Sequence, residues 1–600
     1  MSIGQVKPRS EIADEYKWNL ELIYSDHQQW EEDFQAVRAQ GEQLADLEGQ
    51  LGQSAAGLVA ALELLEQVER KMEKLYVYAR MRRDEDNSRS VYQALCDRAE
   101  SLSIELSGRT AWMTPELLSL GQQRVSAMMQ DQESLRNYDY FFSSLFRRQE
   151  HVLSGAEERI LAMSADLSMA PGHIFSMLNN ADIRFPAIMD ETGEMVEVSK
   201  GRYGGLMESS ERRVRQEAFG AIYGSYHSLI NTIGASLSAS VKKDIFYARV
   251  RKYPSALAAA LDQDNVETVV YDRLIEAMHT RLEPMYRYMK LRKRVLNLEE
   301  LHMYDIYVPL VSEYQRQIPW SEAKDLVIAA LQPLGEEYIT NLQEGLAQGW
   351  IDVYENQGKT SGAYSWGCYD SQPYVLLNYD EKLDDAFTLA HELGHSLHSF
   401  YSRKKQPYIY SQYSIFVAEV ASTVNESLLI DYLLTQSQDP REQAYLINHY
   451  LEHFRTTVYR QTMFAEFEKI IHERVEAGEA LTPESLRETY RGLNQLYYGP
   501  EVISDEEIAD EWSRIPHFYN AFYVYKYATG FASATAIKQR IKNGVPGAVE
   551  DYLRFLSAGG SDDPINVLKI AGVDLSRPEP VDEALQYFTQ LVDRLEQLLA

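Results

Sequence analysis

Residues 386–398 read Ala-Phe-Thr-Leu-Ala-His-Glu-Leu-Gly-His-Ser-Leu-His, and they contain the pattern His391-Glu392-x-x-His395. The apolar residues around this pattern recur at helical spacing, which predicts a helix. Residues four apart lie on the same face of a helix, so both imidazoles can reach one ion while Glu392 lies beside them. The pattern therefore predicts a zinc site that carries its own general base.

A catalytic zinc ion usually takes three protein ligands and keeps a fourth position for water, so a third ligand is expected downstream. Apolar residues at helical spacing over residues 411–428 predict a second amphipathic helix, which carries Glu419 and Glu426 two turns apart. Pro407 in the intervening link allows the chain to turn, so that the second helix runs antiparallel to the first. A carboxylate from this helix would complete a His, His, Glu site.

Two other kinds of zinc site fit the sequence less well. The pattern His-Glu-x-x-His-x-x-Gly-x-x-His requires glycine at position 398 and histidine at position 401, where this chain has His398 and Tyr401. His398 is more often a neighbouring group than a ligand at this spacing. A structural zinc site usually contains cysteine, and no cysteine lies near this helix in sequence. The alternative function is a zinc-containing protein that binds peptides without hydrolysing them.

Three stretches of the chain, residues 387–398, 415–423 and 517–530, resemble the oligoendopeptidase F group of the thimet oligopeptidase family of zinc metallopeptidases. The resemblance extends over almost the whole chain. It implies a mainly α, bowl-like zincin metallopeptidase whose deep channel admits short peptides and excludes folded proteins. It also implies one zinc ion per chain, bound by His391, His395 and Glu419.

Hydrolysis of a peptide bond at such a site needs donors for the negative charge that develops on the carbonyl oxygen. The candidates are His517, Tyr523, Tyr525 and Tyr527, and the resemblance implies a histidine followed by tyrosines in this role. The tyrosine spacing departs from the thimet pattern. If Tyr523 begins a helix, Tyr523 and Tyr527 share a face whereas Tyr525 points away. We therefore expect His517, Tyr523 and Tyr527 to act with the general base Glu392.

A small sheet is expected just before the zinc helix. Residues 349–354, 363–369 and 373–379 look like short strands separated by turns. An extended peptide could pair with an exposed edge of this sheet through main-chain hydrogen bonds, which would tolerate many peptide sequences. A structural sheet without substrate contact is the simpler alternative.

The remaining sequence predicts helical packing and two domains. Apolar stripes at helical spacing cover residues 58–75 and 585–599, and such stripes usually lie in a core. A hairpin is predicted around residues 190–193. The glycine-rich residues 200–205 follow it and suggest a boundary between an N-terminal helical domain, 1–205, and a zinc metallopeptidase catalytic domain, 206–600.

Composition indicates an enzyme that stays in the cytoplasm. The 600 residues include no apolar run long enough for a membrane span, and the first ten lack the apolar core of a signal peptide. Two cysteines, Cys96 and Cys368, are too few for a disulfide framework. A formal net charge of −31 argues against a nucleic-acid partner. Short peptides are therefore the expected partners, with neither nucleic acid nor membrane.

Overall fold

The computed structural model describes residues 6–311 and 316–600, except for the side chain of Asp166. Most of these residues are helical, which confirms a mainly α fold. Among them the α-helices are α1 (His27–Ala45), α2 (Ala55–Glu85), α3 (Ser90–Thr110), α4 (Met113–Leu120), α5 (Gln122–Asp131), α6 (Asp139–Arg147), α7 (Gly155–Met163), α8 (Ala165–Met177), α9 (Lys200–Glu208), α10 (Arg212–His227), α11 (Ile230–Val250), α12 (Ala256–Leu261), α13 (Thr268–Thr280), α14 (Glu283–Val295), α15 (Trp320–Ala330), α16 (Glu336–Ala347), α17 (Leu383–Lys405), α18 (Ile415–Gln436), α19 (Pro440–Phe454), α20 (Arg460–Glu476), α21 (Pro483–Tyr498), α22 (Tyr525–Lys542), α23 (Ala548–Leu556), α24 (Pro564–Ile570) and α25 (Glu579–Leu598).

Strands are short and few in the described part of the chain. They are β1 (Ala187–Met189), β2 (Met195–Glu197), β3 (Leu301–His302), β4 (Ile351–Asp352), β5 (Tyr364–Trp366), β6 (Tyr374–Leu376) and β7 (Val502–Ile503). Strands β1 and β2 form an antiparallel hairpin, as the sequence predicts, and β3 pairs with β7 in parallel. The third sheet has the order β4-β6-β5, in which β6 runs parallel to β4 and antiparallel to β5.

The chain packs into two compact units, each made of three segments. Unit 1 comprises Met1–Glu150, Gln315–Tyr432 and Ile537–Gly572, and unit 2 comprises His151–Tyr314, Leu433–Ala536 and Val573–Ala600. Residues 200–205, where the sequence suggests a domain boundary, lie in α9 within unit 2. The division into domains 1–205 and 206–600 stays a prediction.

Unit 1 begins with a helical bundle in which α1, α2 and α3 pack against one another. The apolar stripe of α2 lies in its core, since Leu58, Val68 and Leu75 are completely buried. Farther along the chain, α17 packs against α15, α16, α23 and the strands β5 and β6. The small sheet therefore lies beside α17, as expected from the sequence.

Unit 2 is built around α10, α11, α20 and α21, with α25 packed on α13, α14 and α19. The stripe of α25 is buried as predicted, with Leu585, Phe588 and Val592 inaccessible to solvent. Two short 3-10 helices, Glu506–Arg514 and Pro516–Tyr519, lead from α21 toward α22. Among the residues that the structure describes, no helix has both the length and the apolar composition needed to cross a membrane.

Candidate metal centre

The helix that carries the His-Glu-x-x-His pattern is α17, so the predicted helix is confirmed. Its first turn is stabilised by Asp385, whose carboxylate accepts hydrogen bonds from the backbone N–H groups of Asp380 and Lys382, at 2.9 Å each. These hydrogen bonds give acceptors to backbone N–H groups that would otherwise lack a partner at the start of the helix. The buried face of α17 includes Leu389, Leu393 and Leu397, each completely inaccessible.

The second helix is α18, and it packs antiparallel to α17 as predicted. The side-chain amide of Asn425 donates to the carbonyl oxygen of Ala390 at 3.0 Å. One turn farther along α17, a Cβ atom on Gly394 would lie only 2.5 Å from the Cα atom of Ser422. The two backbones therefore approach closely at Gly394, where only glycine leaves enough space.

The antiparallel pair brings His391, His395 and Glu419 together. Their Nε2 and Oε2 atoms are separated by 3.1 Å between the two imidazoles, and by 3.4 Å and 3.5 Å from the carboxylate oxygen to His391 and His395. Ligands about 2.0–2.1 Å from a tetrahedral zinc ion lie about 3.3 Å apart. The three atoms thus fit three corners of a tetrahedral zinc site.

Glu426 holds one of these imidazoles in the tautomer that a metal requires. Its Oε1 atom lies 2.7 Å from Nδ1 of His391, so a proton on Nδ1 donates to the carboxylate and Nε2 keeps its lone pair. Burial lowers the pKa of His391, but hydrogen bonds to Glu419 and Glu426 outweigh it and raise this pKa to about 10. The two carboxylates therefore favour positive charge at this point, whether a proton or a metal ion.

Glu392 follows His391 on α17 but does not belong to the ligand cluster. Its side chain is buried, and burial raises its pKa above the usual value for a glutamate, while the two neighbouring histidines oppose this shift. A carboxylate with a raised pKa is a better proton acceptor at neutral pH than an ordinary one. This environment suits the predicted general base.

Unit 2 brings His517, Tyr523 and Tyr527 together. The His517 ring stacks on the Tyr523 ring at 6.2 Å between centroids, and the Tyr527 hydroxyl lies 3.4 Å from Nε2 of His517. Burial and the nearby Arg460 lower the pKa of His517, which favours its neutral form. Arg460 itself shares the carboxylate of Glu511 with a second arginine.

The tyrosine pair forms for a different reason than the sequence suggested. Helix α22 begins at Tyr525, so the expectation that Tyr523 starts a helix is wrong. Phe522 has a left-handed φ of 57°, and its N–H donates to Glu468, which breaks the helical path. The backbone N–H of Tyr527 still donates to the carbonyl oxygen of Val524 in a turn, and this turn keeps Tyr527 beside Tyr523.

Two sequence candidates lie elsewhere. Tyr525 is buried, and its ring packs 5.0 Å from that of Tyr271, away from the His517 cluster. His398 is completely buried and stacks on Tyr413 at 3.7 Å. Burial lowers the pKa of His398 to about 3, so it is neutral, and among the described residues neither ring nitrogen has a hydrogen-bond partner. His398 is outside the group of candidate metal ligands.

Models of known protein families match two ranges of this chain. The model of "Peptidase family M3" matches residues 205–587. The chain belongs to peptidase family M3. A second model, "Oligopeptidase F", matches residues 116–185. The expected resemblance to the oligoendopeptidase F group is therefore confirmed.

The sequence similarity to known relatives extends over nearly all of this M3 peptidase. It is 46% identical to "Oligopeptidase PepF" of Bacillus subtilis (strain 168), over 99% of this chain and 89% of that protein. It is 40% identical to the "Oligoendopeptidase F homolog" of Lactococcus lactis subsp. lactis (strain IL1403), over 99% of both chains. Among solved structures, a "putative peptidase from Chlamydophila abortus" superposes with a TM-score of 0.93 at 37% identity, covering 99% of this chain and 100% of that one.

Sequence reasoning did not find some neighbours of the candidate metal ligands. Glu426 was considered only as a ligand, although its distance of seven residues from Glu419 places both on nearly the same helical face. Asn425 and Gly394 fix the spacing of α17 and α18, but a contact between two helices leaves no local period in a sequence. Arg460, which lies near His517, comes from a distant segment, and its proximity cannot be read from a local sequence pattern either.

Proposed function

We propose that this M3 peptidase is a zinc-dependent endopeptidase that hydrolyses internal bonds of short, unstructured peptides. The observation that carries the proposal is the convergence of the His391, His395 and Glu419 atoms at 3.1–3.5 Å. Two imidazoles and one carboxylate are a common ligand set for catalytic zinc. A zinc ion at this point would lower the pKa of a water molecule and polarise the peptide carbonyl group.

The chain's own groups would carry the proton. Glu392 accepts the proton of the attacking water and passes it to the departing amine. Burial raises the pKa of its carboxyl group, so the carboxylate accepts a proton more readily than an exposed glutamate does, which supports this role. Glu426 keeps the Nδ1 proton of His391, so the orientation of this imidazole does not change during the reaction.

The negative charge on the carbonyl oxygen needs hydrogen-bond donors, and we assign this role to His517, Tyr523 and Tyr527. The three side chains are half-buried, and their ring centroids lie 5.5–6.2 Å apart. Phenolic O–H groups are donors at neutral pH, and neutral His517 can donate from one ring nitrogen. Tyr525 is not assigned to this role, because its ring is buried against Tyr271.

The edge of the small sheet would hold the peptide backbone. Among the described strands, β5 pairs only with β6, and we propose that an extended peptide adds to its other edge. Ser365 of β5 and Ser396 of α17 are joined by a hydrogen bond of 2.8 Å, which fixes the sheet to the zinc helix. A cavity of about 330 Å³ lies between Ala363, Asn378 and Thr388, one turn before His391. Main-chain pairing there would tolerate varied peptide sequences.

In this proposal, a channel restricts the substrate by size, and the enzyme acts in the cytoplasm. A bowl-like fold with an enclosed channel is part of this proposal, and it implies that short peptides are cut internally while folded proteins are spared. Two relatives are named oligopeptidase or oligoendopeptidase, which supports peptide substrates of this kind. Free thiols at Cys96 and Cys368 support a reducing cytoplasm.

An internally quenched fluorescent peptide tests the proposal. The purified protein should contain one zinc ion per chain and should lose activity to a chelator. Glu392→Gln should keep its zinc while turnover falls by about 10²- to 10⁴-fold, and the exposed control Glu488→Gln should change neither. Turnover near wild type in Glu392→Gln, or full zinc content in His391→Ala, would contradict the assignment.

Substrate size is tested separately by mass spectrometry of the products. Unstructured peptides of about ten residues should yield internal fragments. A stably folded protein offered at the same concentration should remain intact. Rapid cleavage of that protein at sites in its core would contradict the enclosed channel without affecting the zinc assignment.

A further inference from the structure

Helix α20 of unit 2 carries a buried glutamate, Glu468, whose side chain is completely inaccessible to solvent. Its Oε1 atom accepts a hydrogen bond of 3.1 Å from the backbone N–H of Phe522. Its Oε2 atom has no hydrogen-bond partner among the residues that the structure describes. Burial of a carboxyl group with one oxygen unpaired costs free energy, so stability alone does not account for a glutamate at this position.

The carboxyl group of Glu468 is neutral at neutral pH. Burial raises its pKa well above the usual range of a glutamate, the hydrogen bond from Phe522 opposes this shift, and Asp244 adds to it. Asp244 lies on α11, where its Oδ2 atom is 3.5 Å from Nε2 of His472, one turn beyond Glu468 on α20. A neutral carboxyl group keeps a carbonyl oxygen that accepts hydrogen bonds, so protonated Glu468 still holds the Phe522 N–H.

Phe522 adopts a backbone conformation that a bulky residue rarely takes. Its φ of 57° lies in the left-handed region. Its ring is buried and packs 4.5 Å from the ring of His472 and 5.8 Å from that of Tyr271. A strained residue of this kind persists only where its surroundings determine it, and such residues are concentrated at functional sites. Here the surroundings are the two ring contacts and the hydrogen bond to Glu468.

One face of α20 runs along the segment that contains the candidate donors. Four residues at intervals of four, which lie one above the other on a helix, form this face: Arg460, Phe464, Glu468 and His472. The ring of Phe464 packs 5.4 Å from that of Phe518, which directly follows His517. The contacts of Glu468 and His472 are made to Phe522, which directly precedes Tyr523. Helix α20 therefore holds the chain just after His517 and just before Tyr523.

The direction of the chain at Phe522 determines where Tyr523 lies. The Tyr523 ring stacks on the His517 ring with 17° between their planes. On its other side, the carbonyl oxygen of Tyr523 accepts from the N–H of Lys526 in the turn that leads into α22. A change of φ at Phe522 would redirect the chain as it enters Tyr523 and would move the phenol away from His517.

We propose that Glu468 is a positioning residue: by holding the N–H of Phe522, it fixes the place of the Tyr523 phenol beside His517. This inference rests on the proposed donor role of Tyr523 and names a residue on which that role depends. Glu468 acts through Tyr523 and not on the substrate. A donor to a developing oxyanion must be placed accurately, so its displacement should weaken binding of the transition state more than binding of the substrate.

Three variants of the full-length zinc enzyme isolate the hydrogen bond. Glu468→Met removes the acceptor and keeps a side chain of similar length, whereas Glu468→Gln keeps an oxygen that can accept from the Phe522 N–H. Glu473→Met makes the first substitution at an exposed position of the same helix and is the matched control. Thermal unfolding of each variant shows whether it is folded. Glu468→Asp, which withdraws the carboxyl group by one methylene, takes the place of Glu468→Met if methionine prevents folding.

Steady-state kinetics on one internally quenched peptide give the first readout. Glu468→Met should lower kcat about tenfold or more with KM within about twofold of the wild type, because the donor acts in the transition state. Glu468→Gln should stay within about threefold of the wild-type kcat, since it keeps the acceptor, and Glu473→Met should match the wild type. Zinc content should be constant, because the hydrogen bond of Glu468 lies within unit 2 and the candidate metal ligands belong to unit 1.

A double-mutant cycle separates positioning of Tyr523 from a general structural effect. Tyr523→Phe alone should lower kcat at least tenfold, as expected for the loss of a donor. Once this donor is absent, the addition of Glu468→Met should lower kcat by less than about threefold more, because two residues that act through one group are not additive. A full additional tenfold loss would show that Glu468 acts on turnover by another route and would overturn the inference.

A second readout does not depend on activity. The fluorine NMR resonance of 3-fluorotyrosine incorporated at position 523 reports the environment of that ring beside His517. It should shift or broaden in Glu468→Met and stay in place in Glu468→Gln and Glu473→Met. An unchanged resonance in Glu468→Met, or a wild-type kcat in that variant, would overturn the inference. A wild-type kcat in Tyr523→Phe would instead refute the donor role in the proposed function, and the fluorine resonance would still show whether Glu468 places Tyr523.

Discussion

Replacement of Gly394 by alanine should weaken the metal site even though alanine favours helix. Gly394 lies on α17 between the two candidate ligands of that helix, and its Cα faces the backbone of α18. An added Cβ would lie 2.5 Å from the Cα of Ser422 and 2.7 Å from its nitrogen, whereas ordinary contacts begin near 3.4 Å. These atoms are backbone, so no side-chain rotation can relieve the contact.

The magnitude follows from that distance. Relief of the contact requires α17 and α18 to separate by about 1 Å, and Glu419 lies one turn from Ser422 on the helix that moves. Metal-ligand distances must stay within about 0.2 Å of their ideal values. A shift of about 1 Å should therefore lower zinc affinity by about tenfold to 100-fold. Overpacking costs about 1–3 kcal/mol, and the higher helix propensity of alanine returns about 1 kcal/mol. The net loss of stability is therefore small, about 0–2 kcal/mol.

The assay is a zinc competition titration with a chromophoric chelator, alongside thermal unfolding. Gly108→Ala is the matched control, because Gly108 lies inside helix α3 and an added Cβ there meets no atom within 4 Å. The control should keep its zinc affinity and gain a little stability. If Gly394→Ala binds zinc as tightly as the wild type and turns over normally, the close approach of the two helices does not set the position of Glu419.

Three further outcomes are expected. Glu426→Gln removes the charge that holds the Nδ1 proton of the neighbouring imidazole, so zinc affinity should fall about tenfold or more in the same competition titration. Tyr527→Phe should lower kcat at least tenfold with KM and zinc content nearly constant, whereas Tyr525→Phe should do much less; the reverse order in steady-state kinetics would reassign the donor. Burial alone would raise the pKa of Glu511, but two arginines hold it at about 2. Its contribution to stability should therefore be complete above about pH 5 and be lost as the pH falls toward 2. Glu511→Gln should lower the melting temperature at pH 7 and flatten its decrease in acid, unlike the exposed control Glu488→Gln.

Local patterns predicted much of the candidate metal centre. The two helices, the link at Pro407 and the approach of His391 and His395 all follow from helical spacing and from a turn residue. The hairpin at β1 and β2 follows from its turn sequence in the same way. In each case the residues that determine the structure lie within one or two turns of each other.

Contacts between distant segments were not predictable in this way. The start of α22 was misplaced by two residues, because the left-handed Phe522 is held by Glu468 from another helix. The two interleaved units, each built from three segments, leave no local mark in the sequence.

The interleaving of the two units affects when the metal centre can be completed during synthesis. Unit 1 includes Ile537–Gly572, and α23 in that segment packs against α17. A hydrogen bond of 2.8 Å from Gln406, just after α17, to the carbonyl oxygen of Ser557 also joins the two. On the ribosome, α17 therefore emerges well over a hundred residues before α23, its last packing partner. The packing of α17 against α23 is therefore completed only near the end of translation.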